Sequence, residues 1–127
     1  MYTYEYDAAY FPALPIVEVE VTPFGQDHEP SQLVAMIDSG SDGTLIPLPV
    51  LRQMKARKTG QITMRSITGA RSIVDVYEVT MRLGSHLFPK VRVAADRHNS
   101  TSILGRDVLN QIIVTLNGLA STTEIHE

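Results

Sequence analysis

Asp38-Ser39-Gly40 is the stretch of this sequence whose residue types could do chemistry. It follows an apolar run, Leu33 to Ile37, and a second apolar run resumes at Thr44-Leu45-Ile46. A carboxylate held at the end of a strand can accept or donate a proton. It can equally open a plain surface turn, since Asp, Ser and Gly favour turns and Asp42-Gly43 just beyond is a hairpin signal. By average residue usage, an Asp-Ser/Thr-Gly triplet turns up in on the order of one chain of this size in twenty. The triplet alone is therefore weak evidence, and its setting has to decide. Core on both sides would pin the turn. A second block downstream, "TSILGRDVLNQIIVTLNG" (residues 101–118), combines a short apolar strand, a glycine, an Arg-Asp pair and an amphipathic turn.

Other reactive side chains offer less. The chain has no cysteine, which excludes disulfides, thiolate catalysis and cysteine-based zinc sites. His28, His86, His98 and His126 show no metal-ligand spacing, so no metal is expected. Asn99-Ser100-Thr101 fits a glycosylation sequon, which matters only in a secreted protein. Arg52, Lys55, Arg57 and Lys58 form a local basic cluster that reads as a solvated helix face. Tyr2, Tyr4, Tyr6 and Tyr10 make the N-terminus aromatic, consistent either with docking on the body or with a disordered start.

The elements that must position Asp38 are mostly strands. "PIVEVEVTPF" (residues 15–24) alternates apolar Ile16, Val19 and Val21 with Glu18 and Glu20, the period of a half-buried strand. After the polar turn "GQDHEPSQ", the continuous apolar run Leu33 to Ile37 suits a strand buried on both faces, pairing with the first as a hairpin. A short helix is expected after Pro49, with Gly60 as its stop signal. Two alternating strands around Thr68-Gly69-Ala70-Arg71 suggest a protruding hairpin. "HLFPKVRVAAD" is a further strand, whose Pro89 implies an edge or an irregular start. A strand ending at Gly105, a helical turn over "RDVLNQI" and a strand over "IIVTLNG" follow, and the tail after Gly118 is expected to fray or to add an edge strand.

The turn, the hairpin and the Gly105-Arg106 block resemble, in this order, the retroviral aspartic proteases, the retropepsins. "DSGSDGT" matches their active-site turn, including the second Asp and the Thr, and "ILGRDVLNQIIVTLNG" matches their C-terminal helix and the strand after it. The resemblance covers Pro15 to Gly118, with the N-terminal segment and the tail unmatched. It implies an all-β fold: one retropepsin-like domain over residues 1–127, a closed barrel with a flap hairpin and a short C-terminal helix, assembled as a homodimer. It implies an aspartic endopeptidase with Asp38 as the catalytic residue. Two carboxylates at short range cannot both ionise, so they share one proton, as is established for aspartic proteases as a class. The ionised member takes a proton from the attacking water and the protonated one donates to the scissile carbonyl, with no cofactor.

Only one such triplet exists here, so the second carboxylate would be Asp38 of another copy. By the same resemblance, Ser39 and Gly40 build the active-site turn. Asp42 and Arg106 form a partly buried ion pair that braces it, with Thr44 in support. Leu45, Ile67, Thr68, Gly69, Ala70 and Ile103 are the expected substrate contacts; for Leu45, Ile67 and Ile103 plain core packing is the competing reading. A catalytically weak dimer that binds peptides is the alternative function, and an unrelated β domain with an ordinary turn is the second.

Composition agrees with a folded domain. Of 127 residues, 43% are hydrophobic and 20% charged, which fits a globular chain with a real core. A formal charge of −3 points to neither nucleic acid nor anionic membrane as partner; a peptide substrate and a second copy are the partners that the resemblance implies. The N-terminus lacks a basic region before an apolar stretch, and no apolar run approaches the roughly 18 residues of a membrane span, so a cytoplasmic protein is expected.

Overall fold

The alternation of Val17, Val19 and Val21 with Glu18 and Glu20 gives the strand Ile16–Pro23 one dry face and one wet one: the three valines are buried, while Glu18 is exposed and Glu20 half-buried. Val17 takes the inward place expected for Ile16, which is half-buried, because side chains two residues apart share a face. In the computed structural model, which describes residues 1–127, the strands are β1 (Tyr2–Glu5), β2 (Ile16–Pro23), β3 (Ser31–Ile37), β4 (Thr44–Pro47), β5 (Lys58–Arg65), β6 (Arg71–Leu83), β7 (His86–Asp96), β8 (Ser102–Leu104), β9 (Val114–Asn117) and β10 (Thr122–Ile125). Two short helices interrupt them, α1 (Leu48–Gln53) and α2 (Arg106–Leu109).

Six strands close a barrel in the order β2-β3-β8-β4-β7-β6, shut by pairing of β6 with β2. The β3–β8 and β4–β7 pairs are parallel and the other pairings antiparallel. Closure removes exposed sheet edges and encloses a core that includes Ile46, Leu51, Met54, Val79, Met81 and Leu104. β5 hangs outside the barrel on the first half of β6, so the β5–β6 hairpin projects as expected, with Arg65 to Ile73 all exposed. Its turn is held by Ser66 N–H to the Ala70 carbonyl and Gly69 N–H to the Ser66 carbonyl, each 2.9 Å. Gly69 has φ +86°, a conformation that other residues adopt with strain.

Four local expectations change. β3 is a strand, but it is not buried on both faces: Val34 is 44% exposed, and Ala35 is its one fully buried residue. α1 starts one residue before Pro49 and stops at Gln53, well before Gly60. Gly60 instead lies within β5, where the register against β6 shifts. Pro89 does mark an irregularity in the β6–β7 ladder, although β7 is an inner strand paired on both sides. The tail neither frays nor forms an edge: β10 lies between β1 and β9 in a separate three-stranded sheet. That sheet is sewn to the body by fully buried Ile125 and by His86 Nε2, 2.6 Å from the His126 carbonyl. The tyrosine-bearing N-terminus is therefore ordered on the chain's own C-terminus.

Because Ile125 belongs to the main core, Ile125→Ala should destabilise the protein by about 2–5 kcal/mol. Chemical denaturation measures this. A loss under about 0.5 kcal/mol, the range of an ordinary surface change, would mean the tail is not part of the cooperative fold.

Candidate active site

β3 delivers Asp38 to the barrel end and two backbone bonds fix where it stops. Ile37 N–H donates to the Pro15 carbonyl (3.2 Å) and Asp38 N–H to the Leu104 carbonyl at the end of β8 (3.1 Å). The turn then folds back on itself. Ser41 N–H donates to the Asp38 carbonyl (3.2 Å), and Gly40 N–H donates to Asp38 Oδ1 (3.0 Å), orienting the half-buried carboxylate. A Cβ at Gly40 would lie 3.2 Å from the same oxygen, so glycine keeps that approach open.

The segment Gly105–Asp107 laces the far side of this turn. Arg106 N–H donates to the Ser41 carbonyl (2.9 Å) and Asp107 N–H to the Asp42 carbonyl (3.3 Å). Arg106 Nη1 donates to the Ser39 carbonyl (2.6 Å), and its Nη2 pairs with Asp42 Oδ1. The expected Asp42–Arg106 pair thus forms, but it is not partly buried. In this chain Asp42 is 94% and Arg106 42% exposed, because the pair straddles the outer surface of the turn. Solvent screening leaves such a pair worth at most about 1 kcal/mol.

The buried brace lies one residue further along. Thr44 is buried and donates from Oγ1 to Asp107 Oδ1 (2.8 Å) and from its N–H to Asp107 Oδ2 (3.3 Å). The same hydroxyl accepts from Gly105 N–H (3.3 Å). Thr44 was expected in support, whereas Asp107 was not singled out, although its place beside Arg106 was visible. Gly105 fits because it has no side chain: a Cβ there would lie 2.2 Å from the Gly43 carbonyl oxygen. Ser41 is also more than a small filler, since its hydroxyl donates to the Gly43 carbonyl (2.7 Å).

Three clefts are lined by expected contact residues, and only the first by the turn itself. One of about 260 Å³ is lined by Gly40 to Leu45 and by the β5 residues Ile62 to Arg65. A second, about 410 Å³, runs under the hairpin and includes Leu45, Ala70 and Asp96. The third, about 370 Å³, is lined by Met36, Ile103 and, from the N-terminal segment, Tyr10 and Leu14. Leu45 and Ile103, cross-strand partners, therefore face different clefts. Ala70 reaches a cleft, whereas Ile67, Thr68 and Gly69 line none of the three, and Ile67 projects fully into solvent. Tyr10 was not among the expected contacts; its hydroxyl lies 3.3 Å from Thr101 Oγ1.

The family model for aspartyl proteases matches residues 18–108, nearly three quarters of the sequence, from β2 through the Asp107 brace. The chain belongs to the aspartyl protease family. Solved structures agree on the fold of this chain. It is similar to EIAV protease in complex with the inhibitor HBY-793 (TM-score 0.60, 22% identity, 77% of this chain and 86% of that one). It is similar to the simian foamy virus (mac) protease (0.54, 21%, 75% and 91%) and to a retropepsin-like aspartic protease from Rickettsia conorii (0.56, 10%, 87% and 90%). No curated protein sequence matches it. No helix of the chain is long and apolar enough to cross a membrane.

Asp96, at the floor of the 410 Å³ cleft, carries a shifted carboxyl. Burial pushes it up, but bonds from His98 N–H, Asn99 N–H and Asn99 Nδ2, with the nearby His98 charge, outweigh this and hold it below the ordinary carboxylate range. A lowered native value means that the unfolded chain binds the proton more readily. The stabilisation is therefore full above the unfolded pKa of about 3.9 and is lost as pH falls through the native value. Denaturant titrations should find Asp96→Asn less stable than wild type near neutral pH, with the gap closing in strong acid; a gap independent of pH would refute the assignment.

Asp107→Ala should cost about 1–3 kcal/mol, because it leaves the buried Thr44 hydroxyl and N–H without their acceptor. Asp42→Ala should cost under about 1 kcal/mol. Thermal or denaturant melts of the two variants test that ranking.

Proposed function

We propose that this chain is an aspartic endopeptidase that works as a homodimer, with residues 1–127 acting as one protease domain. The observation that carries the reading is the single Asp38, held at a barrel end by a glycine N–H and a laced turn, in a chain of the aspartyl protease family. One carboxylate cannot serve as both acid and base on a peptide, so the site is completed by Asp38 of a second copy on a two-fold axis. The pair shares one proton. The ionised Asp38 draws a proton from water, the water oxygen attacks the scissile carbonyl carbon, and the other Asp38 protonates the carbonyl oxygen. The carboxyl that took the water proton then donates it to the nitrogen, the ionised one takes a proton from a diol hydroxyl, and the C–N bond breaks to give the acid and the amine.

Ser39 and Gly40 shape the turn so that two copies and a substrate can approach closely. Asp42, Thr44 and Arg106 orient it without touching substrate, and Asp107 joins them. Leu45 and Ile103 form side-chain pockets in separate clefts. The tip residues Ile67, Thr68, Gly69 and Ala70 close over an extended peptide that adds as a β-strand.

The ordered termini bear on the dimer. β1 and β10 pair within one chain, so the edges of the small sheet are β1 and β9. His126 N–H bonds to the Ile113 carbonyl, so in the alternating antiparallel ladder the main-chain groups of Val114 and Leu116 face away from β10. Pairing of β9 with its copy is the two-fold arrangement that this edge offers.

A peptide-cleavage assay at acidic pH tests the reading. Asp38→Ala should lose at least about a hundredfold in rate, and a statine-type inhibitor should block the wild type. Adding excess Asp38→Asn chain should suppress wild-type activity by forming mixed pairs, and specific activity should fall on dilution as dimers part. Cleavage that survives Asp38→Ala would overturn the mechanism. Peptide binding without cleavage by either protein would leave a binding module.

A further inference from the structure

The proteolytic reading leaves open which peptides are taken, and the charge around the 410 Å³ cleft bears on it. Leu45, Val74 and Ala95 contribute apolar lining to the cleft, and three arginines, Arg65, Arg71 and Arg97, line it as well. Arg65 and Arg71 are direct partners across the last rung of the β5–β6 ladder before the turn. Like charges placed opposite each other weaken a hairpin, so this rung is a local cost to the free protein. Neither arginine is in any of the protein's ion pairs. Arg97 reaches Asp75 at 3.5 Å, but Asp75 is already shared with Lys58 at 3.2 Å. The carboxylate that lines the cleft, Asp96, spends its oxygens on His98 and Asn99. A chain with a formal charge of −3 thus keeps a positive excess beside its proposed substrate channel.

We propose that this cleft is a subsite for an acidic side chain, and that the preferred substrates are peptides with Glu or Asp at a fixed position away from the bond cut. Asp38 is not among the lining residues, which places the acidic residue outside the reacting bond. Guanidinium groups stay charged at every working pH and present paired donors to a carboxylate. An acidic side chain between Arg65 and Arg71 also relieves their mutual repulsion, so the right peptide favours the closed hairpin. This inference rests on the proteolytic reading for the identity of the ligand, and its test separates the two.

In one measurement, wild-type protein digests a proteome-derived peptide library and mass spectrometry reads the residues around each cut. Glu and Asp should be enriched at one position, and the R65E/R71E double variant should favour Lys and Arg there instead. In the other, Asp38→Asn protein binds fluorescein-labelled octapeptides of Ala and Leu carrying a single Glu or Gln at each position in turn. At one position the Glu peptide should bind about fivefold or more tightly than its Gln twin at low salt, and the advantage should shrink at about 0.5 M salt. Absence of cleavage by wild type overturns the proteolytic reading while the binding contrast still decides the subsite. Equal binding of Glu and Gln peptides at every position, no binding at all, or a preference untouched by R65E/R71E overturns the subsite.

Discussion

The lacing of the Asp38–Thr44 turn to the Gly105–Asp107 segment is the constraint on which the rest of the structure depends. Two chain segments more than sixty residues apart are joined by backbone bonds at Asp38, Arg106 and Asp107 and by side-chain bonds from Thr44 and Arg106. The contact between them is so close that Gly105 admits no side chain against the Gly43 carbonyl. Each neutral bond contributes only about 0.5–1.5 kcal/mol net. Their larger effect is to remove freedom from the Asp38 carboxylate, as the proposed catalytic role requires.

The barrel exists around that junction. β3 and β8 run parallel so that Asp38 and Gly105 emerge at the same end, and β4 leaves the turn between β8 and β7. Closure through β2 and β6 keeps this end rigid while β5 stays outside, free of the barrel on one side. A stiff turn and a projecting hairpin are thereby built from one continuous sheet. The hairpin carries the unpaired arginines, and the turn carries the acid whose charge they do not neutralise.

Much of this was legible in the residues. Alternation in β2 and β6 marked strands because one face of each meets the core. The Asp-Ser-Gly turn and the Gly-Arg-Asp block could be matched as a pair because their residue types answer to close approach and ion pairing. Other features were hidden for a common reason. The burial of Val17 rather than Ile16 and the exposure of Val34 depend on which way a pleat faces, which a short apolar run does not specify. Asp107 was overshadowed by its neighbour Arg106, because its partner Thr44 lies more than sixty residues away in sequence. The polar tail read as loose because its partner, β1, lies at the opposite end of the sequence.

The sequence by itself determined the strand periodicity, the lack of thiol chemistry and the single Asp-Ser-Gly triplet on which the proposal of a second carboxylate from another copy rests. These are properties of residue identity and local spacing. Tertiary structure alone decided that Thr44 is braced by Asp107, that Leu45 and Ile103 open into different clefts, and that β10 closes a sheet with β1. It alone gathered Arg65, Arg71 and Arg97 onto one cleft. Such meetings depend on how distant strands register and twist against each other, and no window along the chain contains both partners.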